Sequence, residues 1–320
     1  MLGSLFRYGA AGLTAFQSGC LEPHHGQCVI YLGGLTDGLL ACPYVDQLSE
    51  ACGDQQLSMV QPVLSSSYSG FGCCSLDSDV KQLCELVVYM QKEKGMHEFI
   101  LVGHSTGCQI AVHFLARAPS ALRRTIRGAV LQAPVSDRES NAADTPSGPQ
   151  WASHGLSSQE EHDTLLREAQ GLVASGRGET LLATKYYGVV PITAARYSSL
   201  NARGGTDDYF SSDYSDSELQ RRLRHLSTNG QRMGTGLSVS AVAEHPGLAV
   251  LFALSGDDEY VPRSTSAHLL GQRFAAAAST DGEGSSAIVL NGANHNLSEP
   301  QGVSAAFVEA CVAHIHHALA

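Results

Sequence analysis

No run of apolar residues in this chain approaches the roughly 18 that a membrane-spanning helix needs. That argues against a membrane span. The first 19 residues lack a basic stretch followed by a sustained apolar segment and a small-residue cleavage site, so no secretory signal is expected and a cytoplasmic location is. Basic residues are few and scattered: 20 Lys and Arg stand against 31 Asp and Glu, for a formal net charge of −11. With no basic patch or stripe, nucleic acid is not an expected partner. The nine cysteines are odd in number, irregularly spaced and without a Cys-x-x-Cys pair, and they read as reduced thiols rather than a disulfide frame. Neither His24-His25 nor the terminal His314-x-His316-His317 has spaced acidic or thiol partners, so no metal and no cofactor are expected.

What is present is core. Apolar residues make up 43% of the 320, enough for a sizeable core, and the length suits one large α/β domain or two small ones. Short, mostly apolar runs recur at Cys28–Leu32, Ser58–Leu64, Phe99–Val102, Arg127–Ala133, Leu248–Leu254 and Ala287–Leu290. Helical patterns lie between them, the longest at Leu76–Lys92, where Val80, Leu83, Leu86, Val87 and Met90 share a face. Strands without a polar face, alternating with helices, predict a mostly parallel sheet covered on both sides. A hairpin of Ser4–Tyr8 and Leu13–Gln17 is expected in front of it.

The most informative segment is Gly103-His104-Ser105-Thr106-Gly107. An apolar strand enters it and a helical pattern (Ile110, Ala111, Phe114, Leu115) leaves it. The bare Gly-x-Ser-x-Gly pattern is weak, but between a strand and a helix it describes a nucleophile elbow, which lifts a serine hydroxyl above the sheet. Such a serine needs a base and an orienting acid later in the chain. Of the fourteen histidines only His295 lies on a loop leaving the last strand. The acid follows the preceding strand, where Asp257, Asp258 and Glu259 crowd one turn; the Asp-x-x-Val-Pro spacing selects Asp258 and leaves the other two as a solvated turn. Asp137, after the strand that follows the elbow, is the alternative acid. An oxyanion hole requires two backbone N–H groups. Thr106, after the serine, supplies one, and Leu35 in Gly33-Gly34-Leu35 the other, with Gly34 as the alternative. Thr36 and Asp37 either line the pocket or hold that turn.

From Ser136 to His245 the alternation breaks, and the intervening chain is too long for a plain loop. We expect residues 136–246 to form a cap inserted into a core of residues 1–135 and 247–320, with helices at Ser158–Ala174 and Asp216–Leu226. Asp144–Gly155 is low in complexity and expected to be disordered. Tyr186, Tyr187, Tyr197, Tyr209 and Phe210 offer flat surface for substrate or for packing the cap; Tyr209 and Phe210 are taken as substrate-binding candidates.

GGLTDGL (33–39), SSYSGFG (66–72), GHSTGCQ (103–109), LQAPVSDRE (131–139), DDYFSSDYS (207–215) and SGDDEYVP (255–262) together resemble the fungal siderophore (fusarinine C) esterase-like family of α/β-hydrolases, first catalogued as a domain of unknown function. The resemblance runs from about residue 4 to His295. It implies an α/β-hydrolase fold, a Ser–Asp–His esterase with Ser105, Asp258 and His295 in those roles, and order in the cap around Asp207–Ser215. The expected activity is hydrolysis of a small or medium carboxylic ester, a small-molecule substrate. The competing readings are a lipase or thioesterase on the same machinery and a non-catalytic hydrolase-like binding protein.

Overall fold

The computed structural model describes residues 1–227, 248–279 and 284–320. Its frame is an eight-stranded sheet in the order β1-β2-β4-β3-β5-β6-β9-β10. The strands are β1 (Ser4–Tyr8), β2 (Leu13–Gly19), β3 (Gln27–Leu32), β4 (Ser58–Pro62), β5 (Glu98–His104), β6 (Ile126–Gln132), β9 (Ala249–Ser255) and β10 (Ser285–Leu290). The hairpin β1–β2 joins β4 antiparallel, and every other pairing is parallel. This is the mostly parallel sheet that the apolar runs predicted.

Side chains on a strand alternate between faces. In β3, Val29 and Tyr31 join one core cluster with α1 (Val45–Asp54) and α9 (Val303–Leu319). Ile30 and Leu32 join the other, with α2 (Leu76–Lys94), α3 (Thr106–Arg117) and α8 (Ala267–Ala278). Both faces are therefore dry, which is why no polar alternation appears in these strands. Helix α2 starts in a capping box between Ser75 and Ser78 and ends at Gly95, whose φ of 67° suits the left-handed helix cap. The short α4 (Ser120–Arg123) leads into β6.

After β6 come α5 (Gln159–Ala174), a hairpin of β7 (Leu181–Tyr186) and β8 (Val190–Thr193), α6 (Ala194–Asn201) and α7 (Asp216–Leu223). The hairpin and α6 had no clear signature in the sequence. This insertion has two parts. The first builds its own small core from Ala169, Leu182, Tyr186, Val190, Ile192 and Tyr197, closed against Phe71 and Leu35 of the main body. The second, Tyr209 to Leu226, is absorbed into the main core beside α3 and α8. Residues 228–246 of the expected cap lie outside the described residues.

The segment 144–155 differs from expectation. It carries a 3₁₀ turn over Gln150–His154, and His154 is buried. Its anchors are long-range: the Trp151 N–H donates to Asn141 Oδ1 (2.7 Å), and Thr184 Oγ1 donates to the His154 carbonyl (2.8 Å). Low complexity hid these partners, because they come from elsewhere in the chain.

Two motifs quoted for the family resemblance pair with each other. Ser136 Oγ reaches Ser211 Oγ at 2.7 Å, Arg138 reaches Asp208 and Asp213, and Glu139 accepts from the N–H and hydroxyl of Ser212. Asp208, almost fully buried, also accepts from the Gly204 N–H (2.9 Å) and the Tyr214 hydroxyl (2.5 Å). A buried carboxylate is tolerable only when its lone pairs are used, as here. The network sews the return of the insertion to the end of β6.

Candidate active site

The site lies beyond the carboxyl ends of the central strands, where open parallel sheets bind ligands. The elbow is formed by close approach. A Cβ on Gly107 would sit 2.1 Å from the Leu32 carbonyl oxygen, and one on Gly103 would sit 2.6 Å from the Gly107 backbone. Only glycine lets α3 turn back this tightly on β5 and β3. Ser105 between them is held at φ 52°, ψ −120°, a strained conformation for a residue with a Cβ. As the first residue of α3, Thr106 has an N–H with no intrahelical acceptor.

After β3, Gly33-Gly34-Leu35 passes over the elbow. Asp37 Oδ2 accepts from the Gly34 N–H (2.6 Å), so Gly34 is already committed. No hydrogen bond among the described residues uses the Leu35 N–H.

Asp258 follows β9 and His295 follows β10. His295 Nδ1 lies 2.8 Å from Asp258 Oδ2, and the other carboxylate oxygen accepts from the Tyr260 N–H (3.0 Å). Burial pushes the His295 imidazole down. Asp258, with Glu259 and Asp37 beyond it, outweighs burial and raises the group above its ordinary value near 6.5. An Nδ1–H donated to Asp258 leaves Nε2 as the free lone pair. Glu259 is no solvated turn, contrary to expectation: its Oε2 accepts from the His295 N–H at 2.8 Å and fixes the base loop. Asp257 is exposed, as expected of a solvated carboxylate.

Gln132, at the end of β6, ties these pieces together. His104 Nδ1 lies 2.5 Å from its Oε1, and its Nε2 donates to the His295 carbonyl (3.0 Å). Burial pushes His104 down to about 3, so the ring beside the serine is neutral and packed. Asp37, Cys42 and His104 offer ligand atoms within 4.8 Å of one another, the one such grouping found among the described residues. Two of the three are already engaged, Asp37 Oδ2 by the Gly34 N–H and His104 Nδ1 by Gln132.

Ser105, His295, Leu35, Thr36 and Asp37 line one cavity of about 220 Å³. Asp258 backs His295 from outside it. Asp137 lines the cavity too, but it makes no hydrogen bond to His295. Tyr209 and Phe210 do not reach it. Tyr209 donates to or accepts from His113 Nδ1 (2.8 Å), and Phe210 packs on Phe274, because both belong to the part of the insertion absorbed into the core. Tyr197 is buried inside the small cap core. Tyr186 and Tyr187 do line the cavity, together with His154, Gln150, Ser140 and Asn201, four residues the sequence did not single out.

A parallel sheet with a serine elbow, and a histidine–carboxylate pair in chain order behind it, defines an α/β-hydrolase. The solved structures agree: the siderophore hydrolase EstB from Aspergillus fumigatus superposes with a TM-score of 0.72 at 26% identity, over 99% of this chain and 98% of that one. Est1E from Butyrivibrio proteoclasticus, at 12% identity and a TM-score of 0.59 over 99% of each chain, shares the fold. Within that class the chain is a carboxylic ester hydrolase. It belongs to the family described as a protein of unknown function, DUF1749, which it matches over residues 3–320. A UPF0613 protein of Schizosaccharomyces pombe is 30% identical, over 84% of this chain and 80% of that protein. The fusarinine C esterase sidJ of Aspergillus fumigatus is 29% identical, over 87% and 84%.

Proposed function

We propose that Ser105 is the nucleophile of a Ser–His–Asp esterase that works through an acyl-enzyme. The observation that carries this is the strained elbow serine sharing a cavity with a histidine held at 2.8 Å by Asp258. His295 Nε2 takes the proton from Ser105 Oγ as the oxygen attacks the ester carbonyl. The imidazolium that forms is stabilised by Asp258, which also fixes the tautomer. The N–H groups of Leu35 and Thr106 receive the oxyanion. The tetrahedral species collapses, His295 protonates the departing alcohol, and water activated by the same histidine releases the acid.

The substrate is a small or medium ester, and a siderophore-type ester is the first to test, given the relatives named for fusarinine C and siderophore hydrolysis. A long-chain lipase draws no support from a cavity lined by Asp37, Asp137, Glu259, Gln150 and Asn201. Substrate choice is assigned to the first part of the insertion, which supplies one wall. The test is Ser105→Ala, assayed on short- and long-acyl esters and on a siderophore-type ester. Turnover should fall by about six orders of magnitude. A variant that keeps wild-type turnover overturns the mechanism. A folded wild-type protein that cleaves no ester leaves a non-catalytic binding protein instead.

A further inference from the structure

Asp137 is the member of its motif that the fold does not use. Its neighbours Ser136, Arg138 and Glu139 all turn to the 208–213 segment, as described above. The Asp137 carboxylate faces the catalytic cavity, and no hydrogen bond reaches it among the described residues. The nearby Arg196 does not neutralise it, because Asp207 already holds that guanidinium, with Nη1 at 2.7 Å from each carboxylate oxygen. Burial first, and then the Asp207 charge, pushes Asp137 up to about 7 against the pull of Arg196 and His295.

Apart from His295, which brings positive charge when protonated, the charged groups of the wall have the same sign among the described residues. Asp37, Asp137 and Glu259 line the cavity, and no Lys or Arg does among the described residues. Burial pushes His104 and His154 each down to about 3, so neither brings positive charge. Beside Asp137 stand aromatic rings. His154 stacks on Tyr186 with centroids 3.5 Å apart, and Tyr187 stands edge-on to Tyr186 at 6.1 Å. Tyr187 stands at the tip of the β7–β8 hairpin, where its φ of 52° and that of Gly188 at 71° are the positive values a tight hairpin turn requires. A carboxylate with no hydrogen-bond partner beside tyrosine rings is a setting that suits an ammonium group, whose charge would draw Asp137 to its ionised form.

We infer that the cavity selects esters that carry a protonated amine, with Asp137 as its counter-charge and Tyr186 and Tyr187 as its aromatic wall. This rests on the ester-hydrolase reading and narrows its substrate class.

The test compares matched esters differing by one group: 3-aminopropanoyl against butanoyl esters of one alcohol, and butanoyl esters of 3-aminopropanol against those of butanol. In at least one pair, kcat/KM should favour the amine by about tenfold or more. Asp137→Asn should bring that ratio close to one, and Tyr187→Leu should lower it. A ratio that Asp137→Asn leaves unchanged overturns the role of Asp137. Should Asp137→Asn fail to fold, the wild-type ratios and Tyr187→Leu decide. Neutral esters hydrolysed as fast as the amines in both pairs overturn the inference and leave the esterase standing. If no ester of either pair is cleaved while a siderophore-type ester is, the inference falls and the esterase stands; if none of these is cleaved, both readings fall.

Discussion

The elbow and the first part of the insertion face each other across one cavity, yet they are built on different terms. The elbow is dictated locally: two glycines four residues apart, a strand before and a helix after. Each glycine answers to a specific backbone clash, at Leu32 for Gly107 and at Gly107 for Gly103. The facing wall is dictated by long-range contacts. Tyr186 takes its place because Asn201 donates to its hydroxyl (2.8 Å), Asn201 accepts from Asn141, and Asn141 in turn accepts from Trp151. Nothing in the spacing of these residues announces that chain. Chemistry is therefore expected to be sensitive at the elbow side, and selectivity at the wall.

The largest effect should fall on the pair behind the base. Asp258→Asn leaves His295 without its anionic partner and frees it to adopt the wrong tautomer, and kcat should drop by about three to four orders of magnitude in steady-state assays. Asp137→Asn lacks that mechanism and should cost far less on a neutral ester. The reverse order would return the acid role to Asp137.

Gly107→Ala tests whether the elbow is the rigid side. Its Cβ would meet the Leu32 carbonyl at 2.1 Å, backbone against backbone. Stability measured by denaturant unfolding should fall by about 3 kcal/mol or more. A variant as stable as wild type would show that α3 can move away from β3 at little cost.

On the wall, Tyr187→Ala should shift kcat/KM between two ester substrates by about 1–3 kcal/mol while barely changing a small generic acetate. Equal losses on every ester would make Tyr187 a structural residue of the hairpin and dissolve the contrast. The smallest effect belongs to Asp257→Asn, below about tenfold, since that carboxylate is exposed. Glu259→Ala, which removes the acceptor of the His295 N–H, should cost more than Asp257→Asn in the same assay; the opposite order would deny Glu259 a part in holding the loop.

The sheet was legible because burial on both faces leaves apolar runs with no alternation, and the residue pairs Val29/Tyr31 and Ile30/Leu32 feed two cores. The turn at Ser105 and the position of His295 on the loop after β10 were legible from chain order. Glu259 was not, because a turn carboxylate that accepts a backbone N–H looks like any solvated one. Tyr209 and Phe210 misled for the opposite reason: aromatic content marks burial equally well in a pocket and in a core, and His113 and Phe274 claim them. His154 and Gln150 sat in a segment whose composition imitates disorder, while its anchors lie at Asn141 and Thr184.

The central claim is that Ser105 is activated by His295. It is tested most directly by measuring the rate at which a fluorophosphonate labels the protein as a function of pH, with the adduct located by mass spectrometry. A base must be neutral to accept the serine proton, and the surrounding carboxylates raise His295. The adduct should therefore fall on Ser105, and the rate should rise with pH through a midpoint above 6.5. An adduct on another serine, or labelling of Ser105 that stays flat across that range, would contradict the account.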